Sequence, residues 1–310
     1  MNIHHSIQAF KAENQTAVTT GTFDGLHHGH LKIIDALKEK AEKLKLESVV
    51  LTFHPHPRMV LYPNDENIRL LMTINEKIEH FQKLGIDHLI VHPFTIDFSR
   101  TTFVHYIRDL LVNSLKMKCL IVGHDHHFGK NREGTIQNIK DLEELYGFST
   151  EVINALQVQE INVSSTKIRN ALVEGDIVKA NRFLGYNYSL TGKVIHGNKL
   201  GRTLGFPTAN IHVKEREKLI PGIGIYAVKV AVGKNSFLGM MNVGPRPTFD
   251  DFKSNLEVHI FDFHNDIYEQ NITVTFIDKI RDPQKFESTD ELKEALAQDK
   301  IRALNILNMI

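Results

Sequence analysis

The sequence predicts a two-domain α/β protein: a parallel sheet flanked by helices, followed by a small β-barrel that ends in a helix. Three observations predict it. Strand and helix patterns alternate through the first 185 residues, and from about Gly185-Tyr186 closely spaced strand patterns punctuated by Gly and Pro take over. The 310 residues are enough for two separate cores. Strands separated by helices imply a parallel sheet with right-handed crossovers, whereas short successive strands imply a barrel or sandwich. The expected domains are therefore residues 1–185 and 186–310, with no low-complexity linker or internal repeat between them.

The elements follow in order. Ala17-Val18-Thr19-Thr20 reads as a short buried strand. Residues 30–45 carry Leu31, Ile33, Ile34, Leu37, Ala41 and Leu44 at helical spacing, with Lys and Glu between them. A strand at 48–53 is stopped by Pro55 and Pro57. Next come a helix at 75–84, a strand at 88–92, a helix at 103–115, a strand at 120–122, a helix at 136–146 and a strand at 150–153. Two short helices, 166–174 and 177–184, close this half, with Gly175-Asp176 ending one and capping the next. The second half reads as strands at 189–195, 224–232, 237–243, 255–263 and 272–280, then a helix at 289–307. Parallel sheets bind ligands beyond the carboxyl ends of their strands, where both the glycine-rich loop at 21–29 and the segment 123–134 fall.

Composition bounds the function. Apolar content of 42% and charged content of 24% are those of a soluble globular protein. The formal net charge is zero, which gives no support to general binding of nucleic acid or an anionic membrane. Cys119 is the one cysteine, so no internal disulfide forms, and its apolar setting suits a buried thiol in a reducing compartment. The N-terminus lacks a basic stretch followed by an apolar one, and no apolar run approaches a membrane span. These features predict a cytoplasmic protein that does not act on nucleic acid or membrane.

The first chemical signal is Gly21-Thr22-Phe23-Asp24-Gly25-Leu26-His27-His28-Gly29-His30, between a buried strand and an amphipathic helix. A loop in that place offers free backbone N–H groups and the positive end of the helix dipole. Gly21, Gly25 and Gly29 let the backbone approach a phosphate. His27 and His30, three apart at the helix start, can share one side and donate hydrogen bonds as charge develops. The plainer reading is a tight βα turn with incidental histidines.

This stretch resembles the H-x-G-H motif of the nucleotidylyltransferase superfamily, in which such histidines bind the phosphates of a nucleoside triphosphate. Ser164-Ser165-Thr166-Lys167-Ile168-Arg169 is similar to a second superfamily motif. Ser165 or Thr166 also reads as a helix cap, and both roles can hold together, with Arg169 adding a cation for departing pyrophosphate. Thr52-Phe53-His54-Pro55-His56-Pro57 and the segment 123–134 resemble the parts of bacterial flavin adenylyltransferases that bind FMN and the adenine nucleotide. The resemblance implies binding roles for Gly21, Phe23, Asp24, Gly25, Gly29, His54, Pro55, His56, Asp125, Phe128, Arg132, Ser164, Ser165 and Thr166. Many relatives have an aromatic residue where His126 stands. In a competing reading, His54 and His56 with His124, Asp125, His126 and His127 hold metal ions as in a binuclear hydrolase. That reading leaves the glycine loop, the Ser-Ser-Thr motif and the second domain unexplained.

The second signal begins at Gly201, Arg202 and Gly205, another loop that admits phosphate, and continues through Pro207-Thr208-Ala209-Asn210. On an extended chain Thr208 and Asn210 point the same way. Their oxygens suit a Mg²⁺ ion that bridges ATP phosphates, although a turn before a strand would look similar. In Leu256-Glu257-Val258-His259-Ile260, strict alternation puts Glu257 on the face opposite Leu256, Val258 and Ile260. A carboxylate there can accept the proton of an attacking hydroxyl.

This region, with Met241-Asn242-Val243-Gly244-Pro245-Arg246-Pro247-Thr248, resembles the riboflavin kinase domain. The resemblance implies Glu257 as catalytic base and places Gly201, Arg202, Gly205, Pro207, Asn242, Arg246 and Thr248 among the binding residues. Arg281-Asp282-Pro283 departs from the more usual acidic pair after the Arg. Over nearly the whole chain the sequence is thus similar to the bifunctional bacterial riboflavin kinase/FMN adenylyltransferases. It implies a Rossmann-like nucleotidylyltransferase domain and a kinase barrel, with Mg²⁺ as cofactor and ATP, riboflavin and FMN as substrates. The catalytic residues implied are Glu257 in the barrel and His27, His30 and Arg169 in the nucleotidylyltransferase half. A flavin-binding regulator, or an enzyme that transfers a nucleotidyl group to a different phosphate, are the readings from other classes.

Overall fold

The structure is a computed structural model that describes residues 1–65, 67–124, 134–153, 163–197, 200–245 and 255–309. Contacts divide the chain into two compact units, Met1–Ser164 and Ser165–Ile310.

The first unit is a parallel six-stranded sheet in the order β1-β4-β3-β2-β5-β6. Its strands are β1 (Asn2–His4), β2 (Thr16–Thr20), β3 (Glu47–His54), β4 (His88–Pro93), β5 (Met117–Gly123) and β6 (Ser149–Ile153). All five residues of β2 are buried, as both faces of a parallel sheet must be. Helix α1 (His28–Leu44) lays Ile34, Leu37 and Ala41 onto one face. The core cluster that includes Val18, Leu51 and Leu120 takes in Tyr106, Ile107 and Leu111. Each such Leu or Ile side chain contributes roughly 1.5–3 kcal/mol by leaving water. From β2 the chain steps outward through β3 to β4, then returns to place β5 and β6 on the other side of β2. The order in which strands are added reverses between β2 and β5, and the crevice beyond their carboxyl ends is where such sheets bind ligands.

Shorter helices complete this unit: α2 (Pro57–Leu61), α3 (Ile74–Leu84), α4 (Ile96–Ser99), α5 (Phe103–His105), α6 (Ile136–Asp141) and α7 (Glu143–Tyr146). Three details depart from the sequence pattern. The helix expected at 103–115 is a single α-turn followed by a π-helix, Tyr106–Ser114, whose wider turn shows in Leu115 N–H donating to Leu110 O at 3.3 Å. The helix expected at 136–146 breaks at Leu142. Strand β1 is too short and polar to announce itself, and exists because Asn2–His4 pairs with the edge of β4.

The second unit is a closed antiparallel barrel, β10-β11-β8-β7-β12-β9. Its strands are β7 (Ser189–Ile195), β8 (Ala209–His212), β9 (Gly224–Val232), β10 (Asn235–Gly244), β11 (Asn255–Ile260) and β12 (Asn271–Arg281). The short helix α10 (Leu200–Thr203) precedes β8, and α11 (Thr289–Asn308) ends the chain. Ala303 and Leu307 of α11 pack with Ala227, Met240, Phe261 and Ile277. Fold class and architecture are those the sequence predicts.

Helices α8 (Ser165–Glu174) and α9 (Ile177–Leu184) belong to this second unit. Asn181 of α9 donates to Phe276 O at 3.0 Å and accepts from Tyr188 N–H at 2.7 Å, and Gly222 N–H donates to Leu172 O at 2.8 Å. The sequence period changes at Gly185, but packing divides the chain earlier, because these helices bury their apolar face on the barrel.

Candidate active sites

In the first unit the glycine-rich loop leaves β2, the strand beside the switch point. Its backbone turns through three residues with positive φ: Phe23 at 47°, Gly25 at 84° and Leu26 at 36°. Gly25 meets that demand without a Cβ penalty. Phe23 and Leu26 meet it because both side chains are anchored in the core, 3% and 1% exposed. The Phe23 ring stands edge-on to Phe81 and to His30, so it supports the loop from beneath.

Asp24 supports the loop in another way. Its carboxylate is buried and accepts from Leu71 N–H at 3.0 and 3.1 Å and from Met72 N–H at 3.2 Å. Lys77 of α3, also buried, donates from Nζ to Thr22 O at 2.6 Å. Neither Lys77 nor the 71–72 backbone stands out in the sequence, since only the tertiary fold brings them to the loop.

His27 is the N-cap residue of α1, and no side chain caps that helix start. An anion is favoured at such a helix start. The His27 and His30 rings stack with centroids 3.8 Å apart and planes 13° from parallel. Their motif spacing therefore does place them on one side. Burial, then the neighbouring His27 and Lys77, push His30 well below the usual imidazole range, so it is neutral at physiological pH. Nδ1 of His30 is buried and meets no hydrogen-bond partner among the described residues, a polar atom left for something else to satisfy.

At the end of β3, His54 and Pro55 are exposed and joined by a cis peptide bond. His56 accepts from Arg58 N–H at 3.2 Å and caps α2. Beside them Phe53, Phe94 and Phe98 form an aromatic cluster with centroids 5.5–5.7 Å apart. Of these, only Phe53 lies in a motif legible in the sequence; Phe94 and Phe98 join it through the fold. Asp125, His126, His127, Phe128 and Arg132 lie outside the described residues. Among the described residues no group of three His, Cys, Asp or Glu side chains is placed to hold a metal ion.

The Ser164–Arg169 motif falls on the division between the units: Ser164 ends the first, while Ser165, Thr166 and Arg169 stand on the opening turns of α8 in the second. Ser164, Ser165 and Arg169 are half-buried and Thr166 is exposed.

In the barrel, Glu257 on β11 sits in register with Asn210 of β8 on one side and Asn242 of β10 on the other. Asn255 donates to its Oε1 at 2.6 Å, and the Thr208 hydroxyl reaches its Oε2 at 3.5 Å. Strand register thus puts Asn210 opposite Glu257, and Thr208, just before β8, approaches the same carboxylate. Behind them, His259 Nδ1 donates to Pro207 O at 2.7 Å, which pins the segment carrying Thr208. Burial holds this imidazole below its ordinary pKa, so it is neutral and its proton resides on Nδ1. Gly201 makes a close approach: a Cβ there would lie 2.3 Å from Phe206 O. Arg202 follows it in α10, and Gly205 comes just after that helix.

Two open cavities meet at this point. One, of about 370 Å³, lies between barrel and α11 and is walled by Leu204, Phe206, Ile225, Met240, Phe286 and Leu292, with Glu257 and Asn242 at its polar side. The other, of about 360 Å³, has Arg202, Phe263, His264 and Tyr268 on its walls. Thr208 lines both. Arg246 and Thr248 lie outside the described residues.

Arg281 at the end of β12 also reaches the first cavity. Its guanidinium is bidentate to Asp299 of α11, at 2.8 and 2.7 Å, and Asp299 is 1% exposed. Nη1 donates to Asp282 O at 3.0 Å. The side chain of Asp282 instead pairs with Lys279 at 2.6 Å and is mostly exposed.

Sequence models of two protein families match this chain: FAD synthetase over residues 9–167 and riboflavin kinase over residues 184–307. The bifunctional riboflavin kinase/FMN adenylyltransferase of Escherichia coli K12 is 36% identical over 302 residues, 97% of this chain and 95% of that protein. The protein of the same description from Haemophilus influenzae is 39% identical over 284 residues, 91% of each chain. A crystal structure described as a macrolide-efflux protein from Streptococcus pneumoniae matches with a TM-score of 0.89 and 29% identity over 98% of both chains. Among the described residues no helix is long and apolar enough to cross a membrane.

Proposed function

The chain belongs to the family of bifunctional riboflavin kinase/FMN adenylyltransferases, and from that premise we propose how its residues divide the two reactions. Its activities are ATP-dependent phosphorylation of riboflavin to FMN, in the barrel, and adenylylation of FMN to FAD with release of pyrophosphate, in the parallel-sheet domain. The observation that carries the assignment of the kinase site is the Glu257 carboxylate, held by Asn255 where two cavities meet at Thr208.

The cavity between barrel and α11, mostly apolar, takes the flavin ring. The cavity reached by Arg202 takes ATP, with its phosphates toward Thr208. Glu257 accepts the proton of the riboflavin 5′-hydroxyl as that oxygen bonds to the γ-phosphorus; the bridging β–γ P–O bond breaks and ADP leaves. Thr208 and Asn210 offer a hydroxyl and an amide oxygen beside a carboxylate. That donor set fits Mg²⁺, which favours hard oxygen ligands and keeps several waters. When bound, Mg²⁺ supplies charge neutralisation on the β- and γ-phosphates. Asn242 and Pro207 shape the site around the transfer.

In the first unit a phosphate oxygen of FMN attacks the α-phosphorus of ATP and pyrophosphate departs. The nucleophile is already anionic, so positioning and charge stabilisation suffice and no strong base is required. His27 and the neutral His30 donate to phosphate oxygens at the start of α1. The Phe53–Phe94–Phe98 cluster beside His54, Pro55 and His56 offers an apolar platform for the flavin.

The test is direct: incubate the pure protein with riboflavin, ATP and Mg²⁺ and resolve the flavins by chromatography. FAD accumulates, with FMN as a transient. FMN alone would mean an idle first unit, and flavin bound without turnover would make the protein a regulator.

A further inference from the structure

We propose that Lys77 is a positioning residue of the adenylyltransferase site, its buried ammonium fixing the phosphate loop through the carbonyl of Thr22. This rests on reading that loop as the site of adenylyl transfer. Lys77 is 6% exposed, and lysines are rarely so buried without a charged or functional reason. Its Nζ donates to Thr22 O at 2.6 Å, and the Thr52 hydroxyl donates to the same oxygen at 3.3 Å. Two residues on, the Asp24 carboxylate is bound to the backbone of Leu71 and Met72. The loop is therefore fastened on both sides of Phe23, whose left-handed backbone at φ 47° persists only where its surroundings over-determine it.

A methionine would fill the same volume without the cost of a buried charge. The cation gives two things that methionine lacks. Its hydrogen bond to a carbonyl is stronger than that of a neutral donor. Its field also adds, after burial and the neighbouring His27, to what opposes protonation of His30. The charged and titratable groups that face it are Asp24 in the loop and His30 on α1. Burial lowers the Lys77 pKa to about 8, partly offset by Asp24, so the charge is present at neutral pH and lost in the mildly alkaline range. Linkage gives stability the opposite sign. With its folded pKa below the unfolded one, deprotonation of Lys77 favours the folded state as pH rises from about 8 toward 10. A loss of rate there is not unfolding driven by this group.

The experiment follows FAD formation from FMN and ATP by the 310-residue protein between pH 7 and 9.5, for wild type, Lys77→Arg and Lys77→Met. Riboflavin phosphorylation in the same samples controls for the second unit. In the wild type, kcat/KM for ATP in FAD formation is expected to fall about tenfold across this range, relative to the kinase reaction. Lys77→Arg, which stays charged, removes that decline. Lys77→Met lowers kcat/KM about tenfold at pH 7 and is flat thereafter. A flat wild-type profile, or an unaltered decline in Lys77→Arg, would overturn the proposal even if Lys77→Met failed to fold. Absence of FAD formation in the wild type would instead overturn the adenylyltransferase reading, and this role with it.

Discussion

His30 sits where a proton is costly to accept. Its ring stacks on His27, near the Lys77 ammonium, and burial keeps it neutral. The unfolded chain has no such obstacle and takes up a proton as pH falls through about 6.5. Because the folded-state pKa is depressed, stability is lost on the acid side of that value. Urea unfolding of the first unit is therefore expected to show the wild type losing about 1 kcal/mol more than His30→Gln between pH 7.5 and 5.5. Equal losses in both proteins would show that the ring titrates freely. The histidines were legible in the sequence because H-x-G-H places them by local spacing alone. Asp24 was legible as a loop residue, but its bonds to Leu71 and Met72 were not, and neither was Lys77. Those partnerships join positions about fifty residues apart, and no local period encodes them.

At the scale of elements, β12 and α11 both announced themselves by their periods, yet the joint between them did not. Arg281 and Asp299 form a buried bidentate pair that ties the end of the strand to the helix, beside the apolar cavity assigned to the flavin. The guanidinium also lies 5.7 Å from the Phe286 ring, so the pair braces the segment that walls the cavity. Breaking one partner of a buried pair leaves an uncompensated charge. Asp299→Asn should destabilise the second unit by about 3 kcal/mol and raise KM for riboflavin, with FMN-to-FAD conversion unchanged. A thermal melt and the two separate assays check this, and an unaltered KM would remove the brace from the account of the site. The π-helix at Tyr106–Ser114 is the converse case: its sequence repeats as a helix should, and only the i to i−5 bonding reveals the wider turn.

At the scale of the molecule, a change of period at Gly185 marks where strand patterns begin, while packing divides the chain at Ser164/Ser165. The difference is physical, because α8 and α9 read as helices of the first half yet bond to the barrel. The two phosphate loops survive this shift of boundary. The His27–His30 loop lies wholly within the first unit and Thr208, Asn210 and Glu257 wholly within the second. Each unit thus carries chemistry suited to one step, α-phosphate attack in one and γ-phosphoryl transfer in the other, and the later unit in the chain acts first. That independence is the central claim. Its most direct test is Glu257→Ala, assayed once with riboflavin and ATP and once with FMN and ATP. The account predicts that FMN formation falls at least about a thousandfold while FMN is still converted to FAD at the wild-type rate. Loss of both activities, or retention of riboflavin phosphorylation, would contradict it.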